Sequence, residues 1–353
     1  MNKAIAPILT VVLALGVGFL IYSSVKDRFA QPVVVRGVIG SEKEALFKDP
    51  EMVALLRRKG FTVQTDNAGS RQIATLDLKG YDFAFPAGVP AAEKLRRDKG
   101  IKKSFDVFFT PMAIASWTPL VKILEANGLA VNKGAYSLMP LDKFLALTAK
   151  NTRWSDLKSN SSFAVKKPLL INTTDPRRSN SAAMFMALTS YVLNGDNVVQ
   201  SAAQGQKVLP ELEPLFLKQG FQESSSQGPF ENYFLLGAGA APLVFIYESQ
   251  YLEKLAEKKT RADMRLIYPQ PNVFTKHVLL PLSDNGAKLG ELLSNDPEVQ
   301  KLEVKYGYRT NNPQLFTDFV KTLGYSPPDQ LEVIETPRYE VLEGMIGSIE
   351  KKY

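Results

Sequence analysis

The chain has 353 residues and a net charge of +7; 45% of it is hydrophobic and 22% charged. That is ordinary globular composition, long enough for two lobes with real cores. It has no cysteine and a single histidine, His277, which excludes disulfides, thiolate metal sites, cysteine nucleophiles and multi-histidine metal sites.

Ala4–Val25 contains no charged residue. As a helix it would be roughly 33 Å long, enough to cross the hydrocarbon core of a membrane. Cleavage as a signal peptide fits poorly: after Ala30 it would put Arg28, and after Ser24 Tyr22, where a small residue is required. A retained anchor over 1–25 and a linker over 26–32 are expected. The flanking charges, Lys3 on one side and Lys26, Asp27 and Arg28 on the other, nearly balance and do not set orientation.

The body alternates strand and helix patterns. Val33–Ile39 is β-branched and ends in Gly40-Ser41; a helix pattern runs from Lys43 to Arg58. Phe61–Thr65 is a second strand, ending in Asp66-Asn-Ala-Gly-Ser70, and Tyr81–Phe85 a third. This spacing predicts right-handed crossovers and a largely parallel sheet, with ligands beyond the carboxyl ends of its strands. Lys94–Lys103 is the densest basic run. It lacks interleaved aromatics and reads as a solvated face, so no nucleic-acid partner is expected.

Val107–Trp117 is apolar and extended, interrupted by Pro111, and helix patterns follow from Thr118 and over Leu141–Ala149. Leu169–Ile171 reads as a buried strand. After it, Thr173-Thr-Asp-Pro-Arg-Arg-Ser-Asn-Ser181 forms a turn that Ser179 or Asn180 can cap, opening a helix to Leu193. Hydroxyls, free N–H groups and two arginines would meet there, as a ready anion or small-ligand site or as a plain helix cap beside solvated arginines. Further helix patterns cover Val208–Leu217 and Phe230–Leu236, separated by the polar loop Ser224–Gly228, and Leu243–Tyr247 is a buried strand. The chain returns through strands at Arg265–Tyr268 and Val278–Leu282, with His277 read as structural, and through helices near Asn285–Ser294, Pro297–Tyr306 and Pro313–Leu323. A last helix, from near Pro337, has an apolar face of Val341, Leu342, Met345, Ile346 and Ile349.

The order of these pieces from Val33 to Gly324 resembles the extracytoplasmic solute-binding proteins of bacterial transport, in their two-lobed type 2 class. The resemblance rests on Val38-Ile-Gly-Ser41, Asp66-Asn-Ala-Gly-Ser70, Asp175–Ser181, Ala240–Glu248 and Tyr268-Pro-Gln-Pro271. It is nearest to membrane-tethered domains of this kind that also occur with von Willebrand A-type modules. The resemblance implies an α/β, type 2 periplasmic-binding-protein-like fold preceded by one transmembrane helix. Residues 33–117 with 264–325 would form lobe 1, 118–263 lobe 2, and 326–353 a tail with an amphipathic helix.

It also implies a ligand held between lobes that close by hinge motion. Carried over by position, lobe 1 would contribute Ser41 with Glu42, and Ser70 with Arg71. Lobe 2 would contribute Ser179, Asn180 and Ser181 with Arg177 or Arg178, and the closing loop Ser224, Ser225 and Ser226. Trp117, Tyr247 and Glu248 would lie near the crossovers. Hydroxyls, helix-start N–H groups and an arginine favour an oxyanion or carboxylate-bearing solute. Glu42, Asp66, Asp175 and Glu248 would favour a cation or a metal if they faced the cleft; as caps and surface charges they would not.

No Gly-x-Ser-x-Gly elbow, phosphate-loop lysine motif or His-Glu-x-x-His is present. No enzyme activity, cofactor or metal is therefore expected. The expected protein is a single-pass inner-membrane solute-binding protein with an extracytoplasmic body, or a membrane-tethered sensor or scaffold within a membrane complex.

Overall fold

The structure, a computed structural model, describes residues 31–220 and 222–353. The expected anchor at Ala4–Val25 lies outside the described residues. Among those described, no helix is long and apolar enough to cross a membrane.

Strand β1 (Val33–Ile39) leads through a 3₁₀ turn (Ser41–Lys43) to helices α1 (Glu44–Lys48) and α2 (Pro50–Arg58). The single helix expected over Lys43–Arg58 is split. Pro50 has no N–H to continue α1, and Asp49 instead caps α2 by accepting from Glu51 N at 2.6 Å and Met52 N at 3.3 Å. Strand β2 (Phe61–Asn67), α3 (Ser70–Ile73), β3 (Phe83–Phe85) and α4 (Val89–Lys99) follow. Next comes the long strand β4 (Phe105–Trp117).

Beyond it lie α5 (Thr118–Ala126), β5 (Val131–Asn132), β6 (Ser137–Pro140), α6 (Leu141–Ala149), α7 (Asn180–Leu193), α8 (Ala202–Leu217), α9 (Gln227–Leu236), β7 (Val244–Tyr247) and α10 (Glu248–Ala256). The return runs through β8 (Met264–Gln270), β9 (Phe274–Pro281), α11 (Asp284–Asn295), α12 (Pro297–Lys305), β10 (Arg309–Thr310), α13 (Pro313–Thr322) and α14 (Tyr339–Glu350).

The strands form one path, β2-β1-β3-β9-β4-β8-β6-β5, with β10 and β7 also pairing β4. Only β2-β1-β3 is parallel in the first part; β3–β9 and β9–β4 are antiparallel. The sheet is therefore mixed rather than largely parallel. The chain leaves for the second lobe along β4 and returns along β9, and neighbouring outbound and return strands must oppose each other. Leu169–Ile171, expected as a strand, is buried extended backbone. Only its neighbour Asn172 makes a parallel bridge, to Val244.

Alternation divides the lobe 1 core between the two sheet faces. Val35, Ile39, Phe83, Phe85 and Leu279 pack on one side, and Val38, Ala84, Val278 and Leu280 on the other. A separate, larger core holds Met112–Ala115 and Trp117 of β4 together with α5–α9, β7 and β8. Phe316, Val320, Tyr325 and the apolar face of α14 join this second core. The cores therefore part at Pro111 and between β8 and β9, so the inserted lobe extends beyond both ends of the 118–263 read from the sequence. At the crossing, buried Asn272 donates from Nδ2 to Met112 O at 2.9 Å, and Met112 N donates to Val273 O at 3.1 Å.

Candidate functional site

In lobe 1 the parallel strands β1, β2 and β3 end side by side, at Ile39, Asn67 and Phe85. The turns after them bring Ser41–Glu42, Ala68–Ser70 and Ala87–Gly88 to one edge. In lobe 2, extended Asn172 and β7 run in parallel and end toward the same place, at Thr174 and Tyr247. Between the two edges lies a cavity of about 20 Å³, lined by Ser41, Glu42, Ala68, Gly69, Ser70, Ser179, Asn180, Ser224, Ser225, Ser226 and Tyr247. That is room for about one water-sized group.

The lobes meet closely around it. A side-chain carbon on Gly69 would come within 2.2 Å of Arg178 O, and one on Gly88, at φ +91°, within 2.3 Å of Asn180 Oδ1. Glycine is required at both positions for this approach.

Local chemistry aims the donors. Ser179 caps α7 and accepts from Ser181 N at 3.3 Å. Asn180 follows in the first turn, where N–H groups lack intrahelical partners, and donates from Nδ2 to Tyr247 Oη at 3.1 Å. Ser70 Oγ accepts Ala87 N–H at 2.9 Å, which ties two of the strand-end turns together.

Beneath the cavity is a buried ionic cluster. Lys43 is fully buried; its ammonium bonds Glu42 Oε1, stands 3.0 Å from His277 Nδ1 and lies 4.9 Å over the Phe85 ring. An ammonium has donors only, so His277 Nδ1 must accept and the neutral ring carries its proton on Nε2. That Nε2 is buried without a partner. Burial, and then the Lys43 charge, hold the His277 pKa well below its usual value. The close Glu42–His277 approach of 3.5 Å is therefore not an ion pair at neutral pH. Burial, only partly offset by Glu42, lowers the Lys43 pKa.

Not every residue expected at the site reaches this cavity. Ser41, Glu42, Ser70, Ser179, Asn180, Ser224, Ser225 and Tyr247 line it. Ser181 turns inward instead, its hydroxyl 3.0 Å from Thr174 Oγ1. The arginines are engaged elsewhere. Arg71 bonds Glu343 and donates to Pro176 O at 2.8 Å. Arg177 forks onto Asp175 at 2.7–2.9 Å, and Arg178 is exposed with only its backbone at the lobe contact. Burial opposes ionisation of Asp175, but the Arg177 hydrogen bonds outweigh it and lower its pKa.

Trp117 sits at the far end of β4, buried, with Nε1 donating to Ala241 O at 3.3 Å and Arg261 4.5 Å over its ring. Glu248 is wholly buried at the crossing of the lobes. It forks onto Arg309 at 2.8–3.0 Å and accepts from Tyr268 Oη at 2.6 Å. Lys43, Gly69 and Gly88 are parts of the site that sequence reasoning missed; His277, read as structural, is fully buried and does not line the cavity. Gly69 stood in the quoted Asp66–Ser70 motif and was legible as a close-approach glycine; a buried lysine has no local signal. Among the described residues no group of three or more acidic or histidine side chains is placed to hold a metal.

Two measurements check this geometry. Glu248→Ala leaves Arg309 buried and unpaired, and is expected to cost about 3–5 kcal/mol in denaturant unfolding, without altering the cavity lining. For His277, the folded state resists a proton that the unfolded state takes up near pH 6.5. Its contribution is present above that pH and lost below it. Glu303 works the other way, because burial raises its pKa well above the usual value. The expected result is thus a difference: His277→Gln should flatten the loss of stability between about pH 6.5 and 5 relative to the unsubstituted protein.

No protein-family model and no curated protein matches the chain. Solved structures do. A periplasmic thiamin binding protein aligns at 12% identity and a TM-score of 0.61, over 91% of this chain and 96% of that one. The sulfate-binding protein SubI of Mycobacterium tuberculosis H37Rv aligns at 15% identity and 0.51, over 92% and 99%. AfuA, a periplasmic binding protein of Actinobacillus pleuropneumoniae with fructose-6-phosphate bound, aligns at 12% and 0.53, over 91% and 96%. The chain therefore has the mixed α/β fold of periplasmic binding proteins.

Proposed function

We propose that this chain is a membrane-anchored, extracytoplasmic solute-binding protein that takes a small anion between its lobes. The observation that carries the reading is the convergence of serine hydroxyls, Asn180 and the start of α7 from both lobes on one small cleft cavity. Such donors stabilise an oxyanion, and more strongly where water is excluded. The one carboxylate at the wall, Glu42, is compensated by Lys43. Neutral donors rather than arginines supply the recognition. The three proteins of like fold named above are described as binders of sulfate or thiamin, or with fructose-6-phosphate bound.

The small volume, about 20 Å³, favours a second reading: a tethered sensor or scaffold whose nearly filled cleft serves another protein.

Thermal unfolding across sulfate, molybdate, phosphate, fructose 6-phosphate, thiamin, amino acids and divalent cations separates the two. A compact oxyanion at 100 times its dissociation constant should stabilise the fold by about 2.7 kcal/mol. Ser179→Ala and Gly69→Ala should weaken that effect, while Arg178→Ala should leave it nearly unchanged. No shift with any compound removes the solute reading and leaves the scaffold. Orientation is checked separately: protease added to intact spheroplasts should digest the body, and full protection would overturn an extracytoplasmic location.

A further inference from the structure

The last helix touches both lobes, in two different ways. Leu342, Met345, Ile346 and Ile349 of α14 are buried in the core of lobe 2, against α8 and α7. The flank of α14 beside that apolar face meets α3 and α4 of lobe 1. There Glu343 receives the Arg71 guanidinium, with Nε at 2.6 Å and Nη2 also bonded. Glu340 pairs with Arg97, and Lys94 lies 5.4 Å over the Tyr339 ring. The remaining Arg71 donor reaches across to Pro176 O of lobe 2 at 2.8 Å. Past the helix, Tyr353 lies under Arg177 at 4.7 Å and bonds Gln222, so the chain end also braces the lobe 2 loop that leads into the cavity.

The two attachments differ in kind. The apolar one is insensitive to salt and covers a whole helix face, so α14 belongs to lobe 2. The attachment to lobe 1 is made of ion pairs that can break and re-form, and that salt weakens. The Arg71–Glu343 pair is the less exposed, at 16% and 22%, and is the stronger tie. Arg71 follows Ser70, whose hydroxyl lines the cavity, so the same tie sets where Ser70 stands. Lobe 1 cannot swing away from lobe 2 without parting Arg71 from both Glu343 and Pro176 O.

We propose that α14 is an interlobe latch. Glu343, aided by Glu340, is a positioning residue that touches no ligand but holds the lobes closed and thereby sets the affinity of the cleft. Its effect on affinity rests on the solute-binding reading; the latch itself does not.

The test uses the full chain, which lacks cysteine, with Lys102→Cys in lobe 1 and Lys133→Cys in lobe 2 carrying spin labels. Interlobe distances are measured first without any added solute. Glu343→Ala and Arg71→Ala, which break the tie from opposite sides, should each shift the distribution toward longer distances. Raising salt to about 0.5 M should do the same to the parent protein and add little in the variants. Affinity for whichever panel oxyanion binds should fall about three- to tenfold, as the closed fraction falls. Retained cooperative unfolding shows that the variants are folded. Unchanged distances in both variants overturn the latch, whether or not a solute binds. A shift in distances with no solute bound by any protein leaves the latch standing and removes the solute reading.

Discussion

Everything in this molecule hangs on one strand. β4 runs 13 residues from Phe105 to Trp117, nearly all buried, and belongs to both lobes. Its first half pairs β9 and β10; its second half pairs β7 and β8. Pro111 stands where the partners change, the place in a strand where a missing N–H costs least. The neighbouring crossing is pinned by Asn272 on the Met112 carbonyl and by the buried Glu248–Arg309 fork. Each lobe is built outward from this shared spine, and the parallel strand ends of both lobes face each other beside it. The cavity lies where it does for that reason.

The site is a study in how charge is distributed. The arginines that look like anion ligands in the sequence are spent on other duties: Arg177 on Asp175, Arg71 on the lobe-to-helix tie. The cation nearest the cavity is Lys43, buried behind Glu42 and against the face of Phe85. What remains at the wall, beside Glu42, is a set of hydroxyls and amides. Ser70, Ser179 and Asn180 among them are held by a strand-end turn, a helix cap and the Tyr247 hydroxyl.

In the solute-binding reading proposed above, closure and binding are linked through the same contacts. Gly69 lets its backbone approach the Arg178 carbonyl and Gly88 lets its backbone approach the Asn180 side chain, and the last helix adds salt-sensitive ties on the outer face. A hinge between two separate apolar cores, tied by polar contacts that can break and re-form, can shift its population with small changes in free energy.

The sequence by itself determined the local elements. A β-branched run located β1, short apolar segments located the returning strands, caps and prolines located helix starts, and Ser179, one of the two caps read from the sequence, caps α7. The turns after β1 and β2 and the loop around Ser224 were legible because runs of small polar residues between patterned segments mark turns and loops. Tertiary structure alone decided the rest. A β-branched run does not say whether its neighbour is parallel, so the mixed sheet was hidden until β4 and β9 were paired. Arginine and glutamate side chains span several ångströms and choose partners far away in sequence. The roles of Arg71, Glu248 and Lys43 therefore depend on which elements the fold brings within reach, and no local pattern records that.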